Sequence, residues 1–376
     1  MLQSALSFIK KEKVLSISII LAFLSAFFVH PDKKYISYID FRVLSILFCL
    51  MLVVKGFQNI GLFDLLIEKV FGNITNTRKL FISLIWLCFF LSMLITNDVA
   101  LITFVPFTIL VLKSCNQEKN IIPVIVIQTI AANLGSMGTP VGNPQNLYLF
   151  STSMMSTSKF FSIMLPLTVF CFVVITFFSF VIFPKENISF AIPEKDNKLE
   201  TKELCMYILL FVINILVVLR VITWIPAFFI TIIGILLLQK ANLFKEADYV
   251  LLLTFVGFFI FVGNLGRIDF IHDILNQLLS GREILISVLF SQFLSNVPAA
   301  LLLSGFTDNF PALLIGVNIG GLGTLIASMA SLISYKLYSN EHNADTGKYI
   351  KTFTLYSVIG LIISLIFILA LPVYSL

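Results

Sequence analysis

Long apolar runs recur along this sequence from near its start to its end. A helix of about 20 apolar residues crosses the ~30 Å hydrocarbon layer of a bilayer. Hydrophobic residues make up 59% of the 376 residues and charged residues 12%, against about 45–50% and about 25% in soluble domains. Because helices satisfy their own backbone hydrogen bonds in lipid, the sequence predicts an all-α polytopic membrane protein.

The runs predict about nine full crossings and two re-entrant hairpins. The hairpins, 80–112 and 283–305, each carry a polar break in the middle of an apolar segment. Two of the crossings are broken helices, 121–148 in the first half of the chain and 310–338 in the second. The predicted crossings are Val14–Val29, Phe41–Val54, Ile121–Tyr148, Phe160–Phe183, Leu204–Leu219, Trp224–Leu238, Tyr249–Val262, Phe310–Tyr338 and Phe353–Val373.

The positive charges set the predicted orientation. With the N-terminus inside and each hairpin returning to its own side, 18 of the 25 Lys and Arg residues fall on the cytoplasmic side. This asymmetry obeys the positive-inside rule and favours an N-in, C-out topology. Residues 184–223 are predicted to form a cytoplasmic linker and a linking helix between two halves, 1–183 and 224–376. A prokaryotic-type plasma membrane is the expected location.

The two halves repeat each other. Five crossings separate the first crossing from its counterpart at Trp224, so the second copy starts from the opposite side. Inverted repeats with broken helices are typical of secondary transporters, whose solutes bind near the midplane at the repeat interface. Packing of small residues alone is the competing explanation. The matching blocks are Asn59–Asp64 with Asn264–Asp269, Ile95–Asn97 with Leu294–Asn296, and Asn133–Thr139 with Asn318–Thr324.

The first repeated block opens an amphipathic segment. In the second half, polar and apolar residues alternate at helical spacing over Asp269–Ser280. A helix with one polar and one apolar face lies along the membrane surface. We therefore expect a surface helix that joins a fixed part of the molecule to a moving part.

The segment Gly138–Asn146, GTPVGNPQN, would break a helix at membrane depth. Non-helical backbone is tolerated there only inside protein or along a cavity. Its free carbonyls could coordinate a cation, and the N-terminus of the next half-helix could face an anion. A simple proline kink is the alternative. Apart from Asp98, the predicted ligands of the coupling ion, Na⁺ or H⁺, are Asn97, Asn133, Gly135, Gly138, Asn296, Asn318 and Gly320.

The hairpin tips carry the same chemistry. Thr96-Asn97-Asp98 and Ser295-Asn296-Val297 each place a hydroxyl beside a carboxamide at the end of a half-helix. Two such tips meeting at the midplane would form a small polar chamber. The predicted contacts to substrate are Thr96, Asn97, Asn143, Ser295, Asn296 and Thr324.

Asp98 is the one carboxylate that the predicted spans place well inside an apolar segment. An ionisable group in a membrane is costly and usually functional, so Asp98 is predicted to take part in binding the coupling ion. The alternative is a helix N-cap that accepts backbone N–H groups. Because a fixed negative charge repels a dianion, Asp98 would couple anion transport to a cation or support cation exchange.

The sequences ITNDVALITFVPFTILVL, IAANLGSMGTPVGNPQNLYLF and FLSNVPAALLL resemble the ion transporter superfamily, and in particular its citrate-transporter-like permeases. This group includes sodium-coupled dicarboxylate symporters, arsenite permeases and sodium/proton antiporters. In the symporters the tips read Ser-Asn-Thr and hold both sodium and the carboxylate substrate; here the amide is kept in both tips and the third residue differs. The resemblance implies a homodimer with an elevator motion.

These observations leave three functions open. The first is a secondary carrier for a small anion, such as a di- or tricarboxylate or an oxyanion, driven by Na⁺ or H⁺. The second is a Na⁺/H⁺ antiporter, and the third is an arsenite or antimonite exporter. The chain is not expected to be an enzyme, since no HExxH occurs and Asp98 lacks a second intramembrane aspartate. Neither a cofactor, a metal other than Na⁺, nor nucleic acid is expected.

Overall fold

A computed structural model describes residues 12–71, 74–188 and 200–371 of the chain. Residues 1–11 at the start of the first half, residues 189–199 of the predicted linker and the end of the ninth crossing lie outside the described residues. The described residues form helices joined by short connections. This all-helical architecture agrees with the sequence prediction.

The described residues of the first half form nine α-helices before the linker. The helices α3 and α9 coincide with predicted crossings, α5 and α6 are the arms of the predicted first hairpin, and the first broken crossing forms two separate helices. A 3-10 turn at Glu118–Asn120 precedes the first of these. The helices are α1 (Lys13–Ser25), α2 (Lys34–Tyr38), α3 (Phe41–Asn59), α4 (Leu62–Phe71), α5 (Thr77–Ile95), α6 (Asn97–Ser114), α7 (Ile121–Ser136), α8 (Pro144–Thr152) and α9 (Thr157–Ile182).

The remaining described helices follow the linker. The second broken crossing again forms two helices, separated by a 3-10 turn at Leu325–Ala327. The helices are α10 (Thr201–Val218), α11 (Trp224–Leu237), α12 (Leu243–Glu246), α13 (Tyr249–Leu265), α14 (Asp269–Leu279), α15 (Glu283–Leu294), α16 (Asn296–Leu303), α17 (Phe310–Ile319), α18 (Met329–Ser339) and α19 (Thr346–Ala370).

Six of the described helices, α3, α5, α6, α9, α10 and α19, are long and apolar enough to cross a membrane by themselves. The helices α13 and α14 together form a seventh candidate span that is bent by 104°. Both arms of the first hairpin, 19 and 18 residues long, meet this criterion, whereas the arms of the second have 12 and 8 residues. The re-entrant path and the nine crossings therefore remain predictions.

The helices form two packing groups. The frame helices, α1–α3 and α10–α13, pack against one another, with α13 on α1 and with α10 and α11 on α3. The motif-bearing helices, α5–α9 and α15–α19, form the second group, in which α5 packs on α7, α15 on α17 and α6 on α18. The two groups meet where α13 packs on α16 and α3 on α8.

The amphipathic segments connect the two groups. The helix α4 follows the frame helix α3 and precedes α5, and α14 follows α13 and precedes α15. The predicted helix after Asp269 is thus present as α14, which turns sharply away from α13. This placement in the chain suits a connector between two bodies.

Arg220 also joins the two groups. It lies just beyond the end of α10 and donates to the carbonyl oxygens of Met155, at 2.8 Å, and Phe150. Its guanidinium carbon lies 4.7 Å from the centre of the Phe150 ring. A cation at the C-terminal end of a helix is stabilised by the helix dipole, so Arg220 braces α8, which follows the first break.

Candidate functional site

Both hairpin tips adopt the same unusual backbone conformation. Thr96 is the single residue between α5 and α6, with φ 73° and ψ 152°, and Ser295 separates α15 from α16 with φ 77° and ψ 154°. This region is populated almost only by glycine, and a residue with a side chain is strained there by about 1–3 kcal/mol. Strain of this kind persists where the surrounding structure enforces it, often at functional sites.

The next residue in each tip also makes a matching contact. The Asn97 Oδ1 accepts from the backbone N–H of Asp98 at 3.0 Å, and the Asn296 Oδ1 accepts from that of Val297 at 3.0 Å. In the first tip, the Asn97 backbone N–H also donates to the Gly142 carbonyl in the first break at 3.2 Å. The predicted tips are therefore sharp turns with their amides buried at 4% exposure.

The asparagines before the two breaks bind across the halves. The Asn318 Oδ1 accepts from Asn143 Nδ2 at 3.0 Å, and its Nδ2 donates to Asn146 Oδ1 at 2.6 Å. The Asn133 Oδ1 accepts from Ser328 Oγ at 3.0 Å, and its Nδ2 donates to Ser331 Oγ at 3.2 Å. Each asparagine thus accepts through Oδ1 and donates through Nδ2. Its partners lie at the start of the helix that follows the break in the other half.

Asn133 also connects this network to the first tip. Its Oδ1 accepts a second hydrogen bond, from Asn97 Nδ2, at 3.0 Å. All of these side chains are buried, and buried polar groups that are fully bonded rigidify their surroundings. The predicted residues Asn97, Asn133, Asn143 and Asn318 therefore lie in one continuous contact region.

The first break is a seven-residue interruption, Met137–Asn143, between α7 and α8. Asn143 caps α8 by accepting from the Asn146 N–H at 2.9 Å, and Pro144 occupies the first turn. Both are favoured at a helix start. Because α7 ends at Ser136 and a separate helix begins at Pro144, a simple proline kink does not describe this segment.

Side-chain amides satisfy many of the carbonyls in the breaks. The Asn146 Nδ2 lies within 3.2 Å of the Met137 oxygen and 3.0 Å of the Thr139 oxygen. In the second break, Gln292 Nε2 donates to the Gly320 and Leu322 oxygens, each at 2.9 Å. The carbonyl of Gly320, predicted as a cation ligand, thus has an amide donor in this conformation.

Gly135 and Gly138, at the first break, differ in the space that a side chain would find. A Cβ on Gly135 would lie 2.1 Å from the Phe89 carbonyl oxygen, so glycine allows α7 to pack closely on α5. A Cβ on Gly138 would lie 3.1 Å from its nearest neighbour, the Thr168 methyl. At Gly135, which is predicted as a ligand of the coupling ion, the absent side chain therefore permits the close approach of two helices.

A cavity of about 150 Å³ lies between the two packing groups. Lys55 and Gln58 line it from the frame side, together with Glu246 and Asp248. The motif-bearing side contributes the remaining polar groups. These are the predicted site residues Thr96, Asp98 and Asn143.

Other predicted site residues lie away from this cavity. Ser295 and Asn296, at 3% and 4% exposure, are buried in the second tip. Thr324 is exposed, and its Oγ1 donates to the Gln292 carbonyl at 3.3 Å. In this conformation the first tip and the first break line the cavity, whereas the second tip, at the start of α16, is buried.

The Asp98 carboxylate faces the cavity without a bonding partner among the described residues. The backbone N–H of Asp98 donates to Asn97 Oδ1, and the carboxylate itself forms neither a hydrogen bond nor an ion pair with the described residues. The N-cap position of α6 is Thr96, whose side chain makes no capping bond. The capping interpretation of Asp98 therefore has no support in the contacts, and the carboxylate is free to bind a cation.

Residues 5–310 of the chain match the Citrate transporter (CitMHS) family. The chain belongs to this family. It is 32% identical over 96% of both chains to "Uncharacterized transporter MJ0456" of Methanocaldococcus jannaschii. It is also 30% identical to "Inner membrane protein YbiR" of Escherichia coli, over 85% of both chains. A shorter match, 30% identical over 37% of this chain and 28% of the relative, is to "Silicon efflux transporter LSI3" of Oryza sativa.

Membership of the citrate transporter family, and with it the ion transporter superfamily, agrees with the resemblance of the motifs. This multi-pass membrane protein is therefore a member of a family of transporters. Sequence reasoning did not include Lys55, Glu246, Asp248, Ser328 or Ser331 in the site. Lys55 and the two acidic residues lie just outside the predicted crossings Phe41–Val54 and Tyr249–Val262, and the signal that could identify the serines is their register with Asn143 and Asn146.

Proposed function

We propose that this chain is a secondary active carrier in which the motif-bearing helices move relative to the frame helices. The observation that carries the proposal is the cavity between the two groups, which contains the first tip and the unpaired Asp98 carboxylate. A site at the contact of two bodies becomes accessible from alternate sides when one body moves. The matching tips and reciprocal asparagine bonds support an inverted repeat, the form that many secondary transporters take.

Coupling is assigned to Asp98, together with the amides of the first tip and break. A buried carboxylate is stabilised by Na⁺ or H⁺, so the loaded and empty carriers differ in charge. Asn97, Asn133 and Asn143 supply neutral oxygen and nitrogen ligands beside it. In the second tip Ser295 and Asn296, with Thr324, would complete the solute site after the motif-bearing helices move.

The proposed solute is a small anion, such as a di- or tricarboxylate or an oxyanion. The hydroxyls and amides of the tips can donate to carboxylate or oxyanion oxygens. The lining carries three carboxylates, Asp98, Glu246 and Asp248, and one described cation, Lys55. An anion would therefore enter only with neutralising cations, which makes coupling to a cation a physical requirement.

The same charge balance favours a second candidate, a Na⁺/H⁺ antiporter that uses Asp98 as the exchanging group. A third, efflux of a neutral weak oxyacid such as arsenite, fits the neutral hydroxyl and amide groups of the tips, and one relative is named as a silicon efflux transporter. We propose a homodimer in a prokaryotic inner membrane, in accord with the name of the Escherichia coli relative.

Purified carrier in liposomes separates these functions. A thermal-shift screen of citrate, succinate, phosphate and arsenite, with and without Na⁺, is expected to show a shift that needs both an anion and a cation. Counterflow of the selected solute then demonstrates a carrier. Collapse of a pH gradient by Na⁺ alone would instead show an antiporter, and a shift by arsenite without a cation would show oxyacid transport.

A further inference from the structure

Lys55 is the one described cation that lines the cavity shared by the two packing groups. It lies near the end of α3, is half-buried, and donates from Nζ to Gln58 Oε1 at 3.1 Å. Its partner is a neutral amide, so its positive charge is not neutralised by that contact. The charge is directed at a cavity whose other charged groups are all carboxylates.

The three carboxylates of the lining are not equivalent. Asp248 and Glu246 are exposed at the cavity mouth. Asp248 caps α13 by accepting from the Leu251 N–H at 2.9 Å, and Glu246 accepts from Asn59 Nδ2 at 3.3 Å. Asp98 is half-buried and has no such partner among the described residues. The deeper charges of the cavity are therefore Lys55 on the frame side and Asp98 on the moving side.

A cation bound at Asp98 would be repelled by the Lys55 ammonium across a cavity of about 150 Å³. For two unit charges on one cavity lining we take a separation of about 10 Å, which is about the Debye length at 0.1 M salt. At an effective dielectric constant of about 25–50, a unit charge at this distance changes an ion's affinity by about three- to tenfold.

We infer that Lys55 is a positioning residue that acts as an internal counter-charge to Asp98 and lowers the affinity of the cavity for the coupling cation. This inference rests on the proposed role of Asp98. When the motif-bearing helices bring Asp98 to this cavity, Lys55 takes over part of the cation's electrostatic role. The coupling cation is thereby released on the side to which the cavity opens. In the empty carrier the Lys55 ammonium then compensates the charge of the Asp98 carboxylate.

The test measures cation binding to purified full-length protein without any solute. Binding of ²²Na⁺ is titrated at constant ionic strength with choline chloride, and net proton uptake is followed in parallel with a pH electrode. Lys55→Gln should lower the half-saturating cation concentration about three- to tenfold, whereas Lys55→Arg should leave it close to wild type. The matched control is Lys245→Gln, which removes an exposed charge from the neighbouring α12.

The outcomes distinguish a failure of the inference on Lys55 from a failure of the proposed role of Asp98. An unchanged half-saturating concentration in Lys55→Gln, or the same shift in Lys245→Gln, overturns the role of Lys55. If Asp98→Asn binds both cations as wild type does, the proposed coupling role of Asp98 fails instead. A shift in Lys55→Gln that Lys55→Arg does not share supports the inference, because a purely structural lysine would not alter cation affinity according to charge.

A second experiment covers a Lys55→Gln protein that folds poorly. Lys55→Cys is made in a background in which Cys115 and Cys205, the free cysteines that are not fully buried, are serine. Modification with 2-aminoethyl methanethiosulfonate restores a positive side chain in the folded protein, and methyl methanethiosulfonate adds a neutral one. Only the charged reagent should raise the half-saturating cation concentration; equal effects of the two reagents would contradict the inference.

Discussion

At the scale of single residues, the site departs from ordinary backbone and charge rules at Thr96, Ser295 and Asp98. The first two have side chains where glycine is favoured, and the third is a carboxylate without a hydrogen-bond donor among the described residues. Asp98→Asn keeps shape and hydrogen-bonding capacity but removes the charge. We expect solute exchange to persist while gradient-driven accumulation is lost, because the cation no longer changes the energy of the loaded carrier.

The measurement for Asp98→Asn compares equilibrium exchange with uptake under an imposed Na⁺ or H⁺ gradient in the same liposomes. Asparagine caps helices about as well as aspartate, so a structural role would leave both activities intact. Wild-type accumulation by Asp98→Asn would therefore exclude Asp98 from coupling. Coupling would then fall to the neutral groups of the tips and breaks.

Gly135 and Gly138 allow a second prediction at this scale. Alanine at position 135 places its Cβ 2.1 Å from a backbone oxygen, whereas alanine at 138 meets a methyl group at 3.1 Å. Overpacking against rigid backbone costs about 1–3 kcal/mol or more. Thermal unfolding in detergent should show a clear loss of stability for Gly135→Ala and little change for Gly138→Ala; equal melting temperatures would contradict the close packing of α7 on α5.

At the scale of elements, the positions of the tips and breaks could be predicted from local composition. A hydroxyl and an asparagine within an apolar run, or Asn-Pro after two glycines, determine where a helix ends and begins. The partners of these elements could not be predicted, since the bonds of Asn133 to Ser328 and Ser331 join residues almost 200 positions apart. Lys55 was missed because a lysine near a helix end normally lies in solvent.

The reciprocal asparagine bonds give an element-scale prediction. Asn318→Ala would remove the acceptor at 3.0 Å from Asn143 Nδ2 and the donor at 2.6 Å to Asn146 Oδ1, and a buried unsatisfied group costs about 1–3 kcal/mol. We expect thermal stability to fall in Asn318→Ala and in Asn146→Ala. Because both changes remove the same Asn318–Asn146 contact, the double variant should lose less stability than the sum of the two single losses. Ser339→Ala, a half-buried position near the end of α18 whose hydroxyl donates to the Lys336 carbonyl of the same helix, is the control; additive losses would show that the two asparagines do not interact.

At the scale of the whole molecule, the division into two groups is a property of packing that composition does not reveal. Every long helix is apolar, so the sequence alone cannot distinguish frame helices from motif-bearing helices. The sequence also cannot show that the first tip faces a cavity while the second is buried. This difference between two equivalent tips is expected if the structure is one end state of an alternating cycle.

Accessibility of the two tips tests that interpretation. Thr96→Cys and Ser295→Cys are compared in the background with serine at Cys115 and Cys205. Lys33→Cys and Asn116→Cys, predicted to lie outside and inside, report which face of the membrane a charged thiol reagent reaches. Glu246 and Asp248 lie at the cavity mouth. They belong to the connection between the predicted crossings Trp224–Leu238 and Tyr249–Val262, which the N-in topology places in the cytoplasm. We therefore expect Thr96→Cys to react from the inside and Ser295→Cys to be protected in this state.

Ligands that drive the transport cycle should change the labelling rates of Thr96→Cys and Ser295→Cys in opposite directions. When motif-bearing helices move, the first tip leaves the cavity and the second becomes exposed from the other side. Addition of coupling cation together with solute should therefore slow labelling of Thr96→Cys and speed labelling of Ser295→Cys from the outside. Changes in the same direction would indicate a general loosening of the protein. Equal and constant rates at the two tips would contradict alternating access, because neither tip would then be closed when the other is open.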